Sequence, residues 1–461
     1  MRVTPPGGVA IITACLKRAG YTNIELFDAT WYPVDNEENF ARPDRDIERA
    51  KRQMFPEYKW ERDDLDPSFF MLEDTDMYTA WRKKVIEYKP DVIISSIVED
   101  TYYLWSKFMN KITDQNFISV VGGVFVTYYP QIFDGRVDYI CRGEGDEVIP
   151  ELMDLICDNK DGHHLANIYP NDMRPAIDVN TLPSTDHEIF DKRSLYRPFQ
   201  GRIIKIATVE TQRGCPFRCK FCNSPSNASL YKEETDSLFF RQRSVEHIER
   251  EIQHLIKTID VEFLWIVTDT LLTTSKKKFD DFCDMYSKYK IPFFAQTRPE
   301  LLTPHQAKRL VEIGCEKLNM GVEHGDPQFR KDIIGRVYDN QKAIDAFRIA
   351  REAGLNTTCN FIVGYPYETM ESCMKSVDLA AQLGCDDTNA FIFTPYHGTP
   401  MRDMCVDAGF IDKDLIVEMR SDDQGSFLDM PKPYMSKKEI QYMFNNFVRL
   451  FRERERAIMS S

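Results

Sequence analysis

An alternation in the second half of the chain constrains its fold more than any other feature. Six apolar segments, Ile203 to Val209, Val261 to Val267, Pro292 to Gln296, Lys317 to Val322, Thr357 to Val363 and Ala390 to Phe393, read as strands. Helical patterns separate them at Val245 to Ile256, Lys276 to Tyr289, Pro304 to Ile313, Gln341 to Ala353 and Met370 to Leu383. Strands joined through helices run in the same direction, so they pair as a parallel sheet covered by those helices. The chain is therefore α/β, and residues 201–400 are expected to form a partial (β/α)6 TIM-type barrel with its chemistry on the loops that follow the strands.

A shorter alternation precedes it. A helix at Gly7 to Ala19, strands at Ile24 to Asp28, Val92 to Ser95, Ile118 to Val121 and Val137 to Cys141, and a helix at Thr101 to Ile112 predict an open parallel, Rossmann-like sheet within residues 1–159. Thr30 to Met77, rich in charge and aromatics (Trp31, Tyr32, Phe55, Trp60, Phe69), reads as a surface elaboration with short helices, or alternatively as a lid. Prolines 170, 175, 183 and 198 mark residues 160–200 as an ordered linker. Residues 401–461 form a C-terminal helical extension, whose helix from Lys437 to Arg454 is expected to lay its apolar face on the barrel.

Charge and composition exclude several classes. Acidic residues outnumber basic ones by 73 to 59, which argues against nucleic acid held by a general basic field. Apolar runs such as Val92 to Val98 fall far short of the ~20 residues of a transmembrane helix. The 12 cysteines are too sparse for a disulfide scaffold, and Met1 to Pro5 lacks a signal-peptide pattern, so a cytoplasmic chain with reduced thiols is expected.

Three of those thiols lie within eight residues, in Arg213-Gly214-Cys215-Pro216-Phe217-Arg218-Cys219-Lys220-Phe221-Cys222-Asn223, just after the first barrel strand. Thiolates suit iron-sulfur clusters or zinc, and a closed structural site would need a fourth ligand. None follows nearby, which leaves either a zinc site completed by a distant residue or a cubane with one open iron. The other nine cysteines show no short ligand spacing and read as small core residues, so an auxiliary cluster is not expected.

The spacing of Cys215, Cys219 and Cys222, with Phe221 before the last, resembles the signature of the radical S-adenosylmethionine superfamily. The resemblance implies a 4Fe-4S cluster on the three cysteines, S-adenosylmethionine chelated at the open iron, and Phe221 beside the adenine. Further segments follow in that family's order. Gly321-Val322-Glu323-His324-Gly325 resembles the fourth-strand motif, so Glu323 would contact S-adenosylmethionine and Arg336 its carboxylate; the alternative is a surface ion pair. Phe361 to Thr369 resembles the fifth-strand motif, which would set Gly364 beside the adenine, and Pro395 to Pro400 the sixth-strand ending. Asp269 stands where the family often has paired acids.

Pro5 to Gly8, Gly122-Gly123 and Gly143-Glu144-Gly145 resemble the cobalamin-binding domain that precedes the barrel in one subgroup of these enzymes, with those glycines giving room to the corrin. Two departures accompany it. The strand normally preceding Pro5 is absent or reduced to Met1 to Thr4, which would expose neighbouring strand edges. His163, in Asp161-Gly162-His163-His164, follows the domain's last helix and is read as a solvated loop residue, not a cobalt ligand.

The resemblance implies a radical enzyme, foremost a cobalamin-dependent C-methyltransferase on a small or lipid-like metabolite, served by an electron donor such as flavodoxin or ferredoxin. Cyclisation, rearrangement or oxidation beside a vestigial cobalamin domain is the alternative within the class. A non-catalytic iron-sulfur module is the alternative outside it. A tRNA methylthiotransferase would need a further N-terminal cysteine set and a basic C-terminal domain, neither of which is present.

Overall fold

A computed structural model describes residues 5–33, 65, 67–199, 202–418 and 425–460. Met1 to Thr4, Phe55 and Trp60 lie outside these residues. The first sheet contains three parallel strands, β1 (Val92–Ser96), β2 (Ile118–Gly122) and β3 (Tyr139–Ile140), in that order. Helices α1 (Gly7–Arg18), α2 (Met77–Tyr88), α3 (Tyr102–Asn110), α4 (Val124–Tyr128) and α5 (Val148–Cys157) accompany it.

Among the described residues the predicted strand Ile24 to Asp28 belongs to no sheet. Its side chains dock on helices instead. Phe27 packs against Trp81 of α2 and Phe108 of α3, Glu25 pairs with Lys84, and the Asn23 carbonyl accepts from Tyr88 Oη. Among the described residues no neighbouring strand offers it a ladder, so ring packing, an ion pair and hydrogen bonds hold the segment instead.

The second sheet has seven strands. β4 (Tyr196–Phe199) and β5 (Arg202–Val209) come first in the chain, and a small ribbon pairs β6 (Gln212–Arg213) with β7 (Arg241–Gln242). β8 (Phe263–Ile266), β9 (Phe293–Thr297), β10 (Cys315–Glu323), β11 (Thr357–Val363) and β12 (Asp387–Ile392) complete the sheet, in the order β12-β11-β10-β9-β8-β5-β4. The six predicted barrel strands are all present and parallel. The added strand, β4, runs antiparallel to β5 and comes from the predicted linker. Pro198 disguises it in sequence, because proline cannot donate to a ladder and is confined to sheet edges, which is where β4 lies.

Between the strands run α6 (Asn223–Thr235), α7 (Val245–Ile259), α8 (Lys276–Tyr286), α9 (Pro304–Glu312), α10 (Asn340–Ala353) and α11 (Met370–Leu383). Side-chain oxygens of Ser244, Ser275, Thr303, Asp339 and Thr369 accept from backbone amides in the first turns of α7 to α11, satisfying donors that a helix start otherwise leaves bare. Two helices follow, α12 (Pro400–Asp407) and α13 (Lys437–Ser460). On α13, Ile440, Met443, Phe447 and Phe451 are buried at helical spacing, and Phe447 meets Phe361 of β11 with ring centroids 5.3 Å apart.

Strand alternation sorts the barrel's two faces. Leu318, Met320 and Val322 of β10 and Cys359, Phe361 and Val363 of β11 join the core under the helices. Asn319, Gly321, Thr358, Asn360 and Ile362 therefore face the concave inner wall. At the site end of this sheet the helical layer comes close: a Cβ on Gly325 would collide with the backbone of Lys375 in α11. Gly325→Ala should cost about 1–3 kcal/mol by overpacking, read as a lower denaturant midpoint with an unchanged slope.

Candidate active site

The cysteine loop begins with a turn that only glycine takes easily. Gly214 has φ +86°, and a Cβ there would lie 2.8 Å from the Phe239 carbonyl oxygen. The loop is then clamped by backbone bonds from two directions, Lys220 N to Ile334 O (2.9 Å) and Met401 N to Lys220 O (3.0 Å). Cys222 caps α6, its sulfur accepting from Ser224 N at 3.4 Å, a helix absent from the sequence expectations.

Cys219 is buried, and its sulfur accepts from two guanidinium groups, Arg336 Nε at 3.2 Å and Arg298 Nη1 at 3.5 Å. Burial pushes the Cys222 thiol up to about 12, and burial likewise raises Cys215, whose sulfur lies 3.9 Å from Thr270 Oγ1. The donor set fits an anionic iron-sulfur cluster. Soft thiolates hold iron, and the two guanidinium groups beside Cys219 offset the negative charge that bound thiolates carry. Among the described residues no three His, Cys, Asp or Glu side chains converge closely enough to hold one metal ion. A loop that wraps a multi-iron cubane need not bring its thiols that close.

Glu323 and Arg336 meet each other in an ion pair, and that pair is buried rather than on the surface. Arg336 Nη2 lies 3.1 Å from Glu323 Oε1, and Arg336 Nη1 donates to the Gly321 carbonyl at 2.5 Å. Burial pushes the Glu323 carboxyl up, against the pull of Arg336 and Arg298. Glu323 itself has φ +71°, a strained conformation for a residue with a side chain. Phe221 stands between the two motifs, 6.2 Å from the Tyr365 ring and under the Arg336 guanidinium at 5.7 Å. Asp269 accepts from Ser224 Oγ at 2.7 Å, which ties the second barrel strand's loop to the start of α6.

Gly364, with φ +81°, follows β11 as expected, but the space beside it is already taken. A Cβ there would lie 2.7 Å from Ile440 Cγ2 of α13, so its missing side chain admits this helix. Two residues that sequence reasoning passed over organise this end of the sheet. His324 and Glu368 are wholly buried; His324 Nε2 lies 3.0 Å from Glu368 Oε1, and Glu368 Oε2 accepts from the amides of Gly364 (2.5 Å) and Tyr365 (3.1 Å). Asp326 N donates to His324 Nδ1, which assigns the proton to Nε2. Arg298 was also missed. Its signal, an arginine directly after β9, is weak until the fold brings it to Cys219.

The glycines of the first sheet stand at the carboxyl ends of β2 and β3, where α/β sheets bind ligands. The close approaches there are made by the chain's own atoms. A Cβ on Gly123 would lie 2.6 Å from Ile97 O, on Gly143 2.6 Å from Tyr231 Oη, and on Gly145 3.1 Å from Ile149 Cγ1. Gly122 differs, since a Cβ there would make only ordinary contact with Cys141 at 3.6 Å. Glu144 is locked between Arg213 (2.7 Å) and Arg241 (2.8 Å) and accepts from Ile177 N, so it joins the first sheet to the barrel. For a corrin these loops match in location, and only Gly122 has space beside it. His163 is on the surface, bonded to Asp161 and the Asp138 carbonyl, as a solvated loop residue would be.

Residues 209–380 match the family described as the Radical SAM superfamily. The chain is 27% identical over 340 residues to an uncharacterized methyltransferase of Pyrococcus horikoshii, covering 69% of this chain and 70% of that protein. It is 25% identical over 428 residues to the anaerobic magnesium-protoporphyrin IX monomethyl ester cyclase of Cereibacter sphaeroides, covering 86% of this chain but only 60% of the cyclase. In fold it is similar to the radical S-adenosylmethionine methyltransferase TsrM from Kitasatospora setae, solved with cobalamin and a [4Fe-4S] cluster bound: TM-score 0.58, 15% identity, 83% of this chain and 79% of that one. The barrel and the cysteine loop agree with that family match, which spans residues 209–380 of the chain.

Breaking the His324–Glu368 pair leaves a buried group without its partner. Glu368→Ala should destabilise the fold by about 3–5 kcal/mol in equilibrium unfolding, while a surface carboxylate such as Glu352, replaced by Ala, should change it by under about 1 kcal/mol.

Proposed function

We propose that the chain generates a 5'-deoxyadenosyl radical and uses it in cobalamin-dependent C-methylation of a small or lipid-like metabolite. The observation that carries the radical reading is the burial of the Glu323–Arg336 pair directly against Cys219. Methyl transfer is supported by the methyltransferase relative and by the fold shared with TsrM. With a 4Fe-4S cluster, S-adenosylmethionine and cobalamin bound, the chemistry supplied is one-electron cleavage to a radical that takes hydrogen from unactivated carbon, followed by methylation of that carbon.

The chain's own groups have separable tasks. Cys215, Cys219 and Cys222 hold iron, and Arg298 and Arg336 counter the resulting charge. Glu323 and Arg336 present an acid and a guanidinium to the polar ends of S-adenosylmethionine. Phe221 and the Gly364–Tyr365 turn border the adenine. Residues 1–159 form the corrin-bearing domain, with Gly122 nearest the open space, 160–200 its connection to the barrel of 201–400, and 401–461 the helical extension. Among the described residues no helix is long and apolar enough to cross a membrane, and we place the enzyme in the cytoplasm with flavodoxin or ferredoxin as electron donor. The cyclase relative favours a second reading, ring formation by the same radical without methyl transfer.

Anaerobic reconstitution tests the radical step. The wild type should gain iron and sulfide and form 5'-deoxyadenosine, and Cys215, Cys219 and Cys222 replaced together by Ala should leave iron near background; a full cluster in that variant would sink the assignment. Glu323→Gln and Arg336→Ala should keep iron yet bind S-adenosylmethionine at least about tenfold more weakly, about 1.4 kcal/mol, by calorimetry. For the corrin, purification with hydroxocobalamin and Gly122→Leu is decisive, because that glycine admits a side chain without a backbone clash. Corrin absorbance should fall while iron and deoxyadenosine persist, and a wild type without corrin would favour the non-methylating reading.

A further inference from the structure

The inner wall of the barrel below Glu323 is lined by hydrogen-bonding groups without charge. Gln296, Asn319 and Thr358 sit side by side on β9, β10 and β11, and Asn360 and Asn389 pair one row nearer the loops on β11 and β12. Some of their capacity is spent within the wall: Gln296 Nε2 donates to the Thr268 carbonyl at 2.8 Å, and Asn389 Nδ2 to Asn360 Oδ1 at 3.1 Å. Asn319 spends none. Its Oδ1 is buried with no partner, and its Nδ2 donates to no described residue. A donor and an acceptor therefore stand together unused. An orphaned buried polar atom is costly, and a ligand group that pairs with it would relieve that cost.

The charged groups around this row are already paired. Lys317 meets Asp387 across β10 and β12, Arg298 meets Glu300, and Glu323 meets Arg336. An anionic substrate placed here would have to break one of those pairs or lie buried without a counter-ion, a cost several times that of a neutral contact. A hydroxyl or amide pays no such penalty and satisfies both Asn319 atoms.

We propose that Asn319 is a specificity-determining residue that binds a neutral hydroxyl or amide of the substrate, so that the substrate presents an uncharged polar face, without carboxylate or phosphate, to β10. The inference rests on the radical-enzyme reading above and narrows its substrate class. The ribose hydroxyls of S-adenosylmethionine share this chemistry, and the experiment separates the two sources.

Reconstituted holoenzyme is mixed with S-adenosylmethionine and probed by ligand-observed NMR with two sets of compounds: methyl glycosides, nucleosides and N-acetyl amino-acid amides on one side, simple carboxylates and phosphomonoesters on the other. Neutral compounds should bind the wild type, and Asn319→Leu, close in volume but without the amide, should weaken them by at least about tenfold while calorimetric affinity for S-adenosylmethionine is unchanged. Asn319→Ser, which keeps one hydroxyl, should recover part of the binding and serves if the Leu variant misfolds by circular dichroism. Binding confined to the anions, no neutral binding, or neutral binding indifferent to Asn319 overturns the proposal. A loss of S-adenosylmethionine affinity in Asn319→Leu also overturns it and assigns the residue to the cofactor. Failure of the wild type to hold a cluster or form deoxyadenosine would instead strike the radical reading.

Discussion

The Arg336 guanidinium serves Cys219, Glu323 and the Gly321 carbonyl at once, and much of the site follows from the need to keep that buried charge satisfied. An arginine removed from water is tolerable only where each donor finds a partner in good geometry. Gly321 must lack a side chain because a Cβ would intrude on the Glu323 carboxylate. Glu323 turns back toward the guanidinium through its left-handed φ of +71°, and Gly335, at φ +81°, brings the chain around before Arg336. The five-residue π-helical turn Arg330–Ile334 precedes that bend, a form of helix that tends to occur at functional sites. Motif, bend and cysteine loop thus form a single electrostatic unit.

A second unit extends the site outward. Glu368 joins the β10 motif, through His324, to the amides of Gly364 and Tyr365 after β11, and its own carbonyl accepts from Met435 N ahead of α13. Ile440 of α13 then fills the space that Gly364 leaves open. The C-terminal helix is therefore structural support for the turn beside Phe221. On the opposite side Glu99, after β1, accepts from the amide and ring of His397 and from Val417 N, while the His397 carbonyl accepts from Asn223 beside Cys222. The first sheet is in this way braced against the cysteine loop by a chain of short polar contacts.

What was legible in the sequence is what is local. Three thiols within eight residues specify a ligand loop without reference to the rest of the fold, and the six barrel strands announce themselves because each is a short, largely apolar segment between helix signals. Four features were hidden or misleading for distinct physical reasons. His324 and Glu368 lie 44 residues apart, and only the parallel pairing of β10 and β11 makes them partners. β4 carries a proline, and that signal points away from a strand unless the strand is known to be an edge. Ile24 to Asp28 carries the alternation of a strand, but the structure gives it helices to lie on and no ladder. The glycines at the ends of β2 and β3 read as room for a ligand, whereas most of that room is used by Ile97, Tyr231 and Ile149.

The two edges of the barrel sheet differ, and the difference bears on how a substrate reaches the inner wall. At one edge β4 adds an antiparallel strand to β5, and Phe199 joins Ile204, Ile206 and Phe263 in an apolar cluster on that side. At the other edge, among the described residues, β12 has no further strand, and Asp387, Asn389 and Phe391 are exposed although alternation aims them at the concave face. The helix α13 covers its outer side, where Thr388 is buried. A six-unit barrel that stops short of closure thus seals its first edge with a borrowed strand and leaves its last edge open on the inside. That opening lies beside Asn360 and one strand further from Asn319, so the open flank and the uncharged row belong to the same stretch of wall.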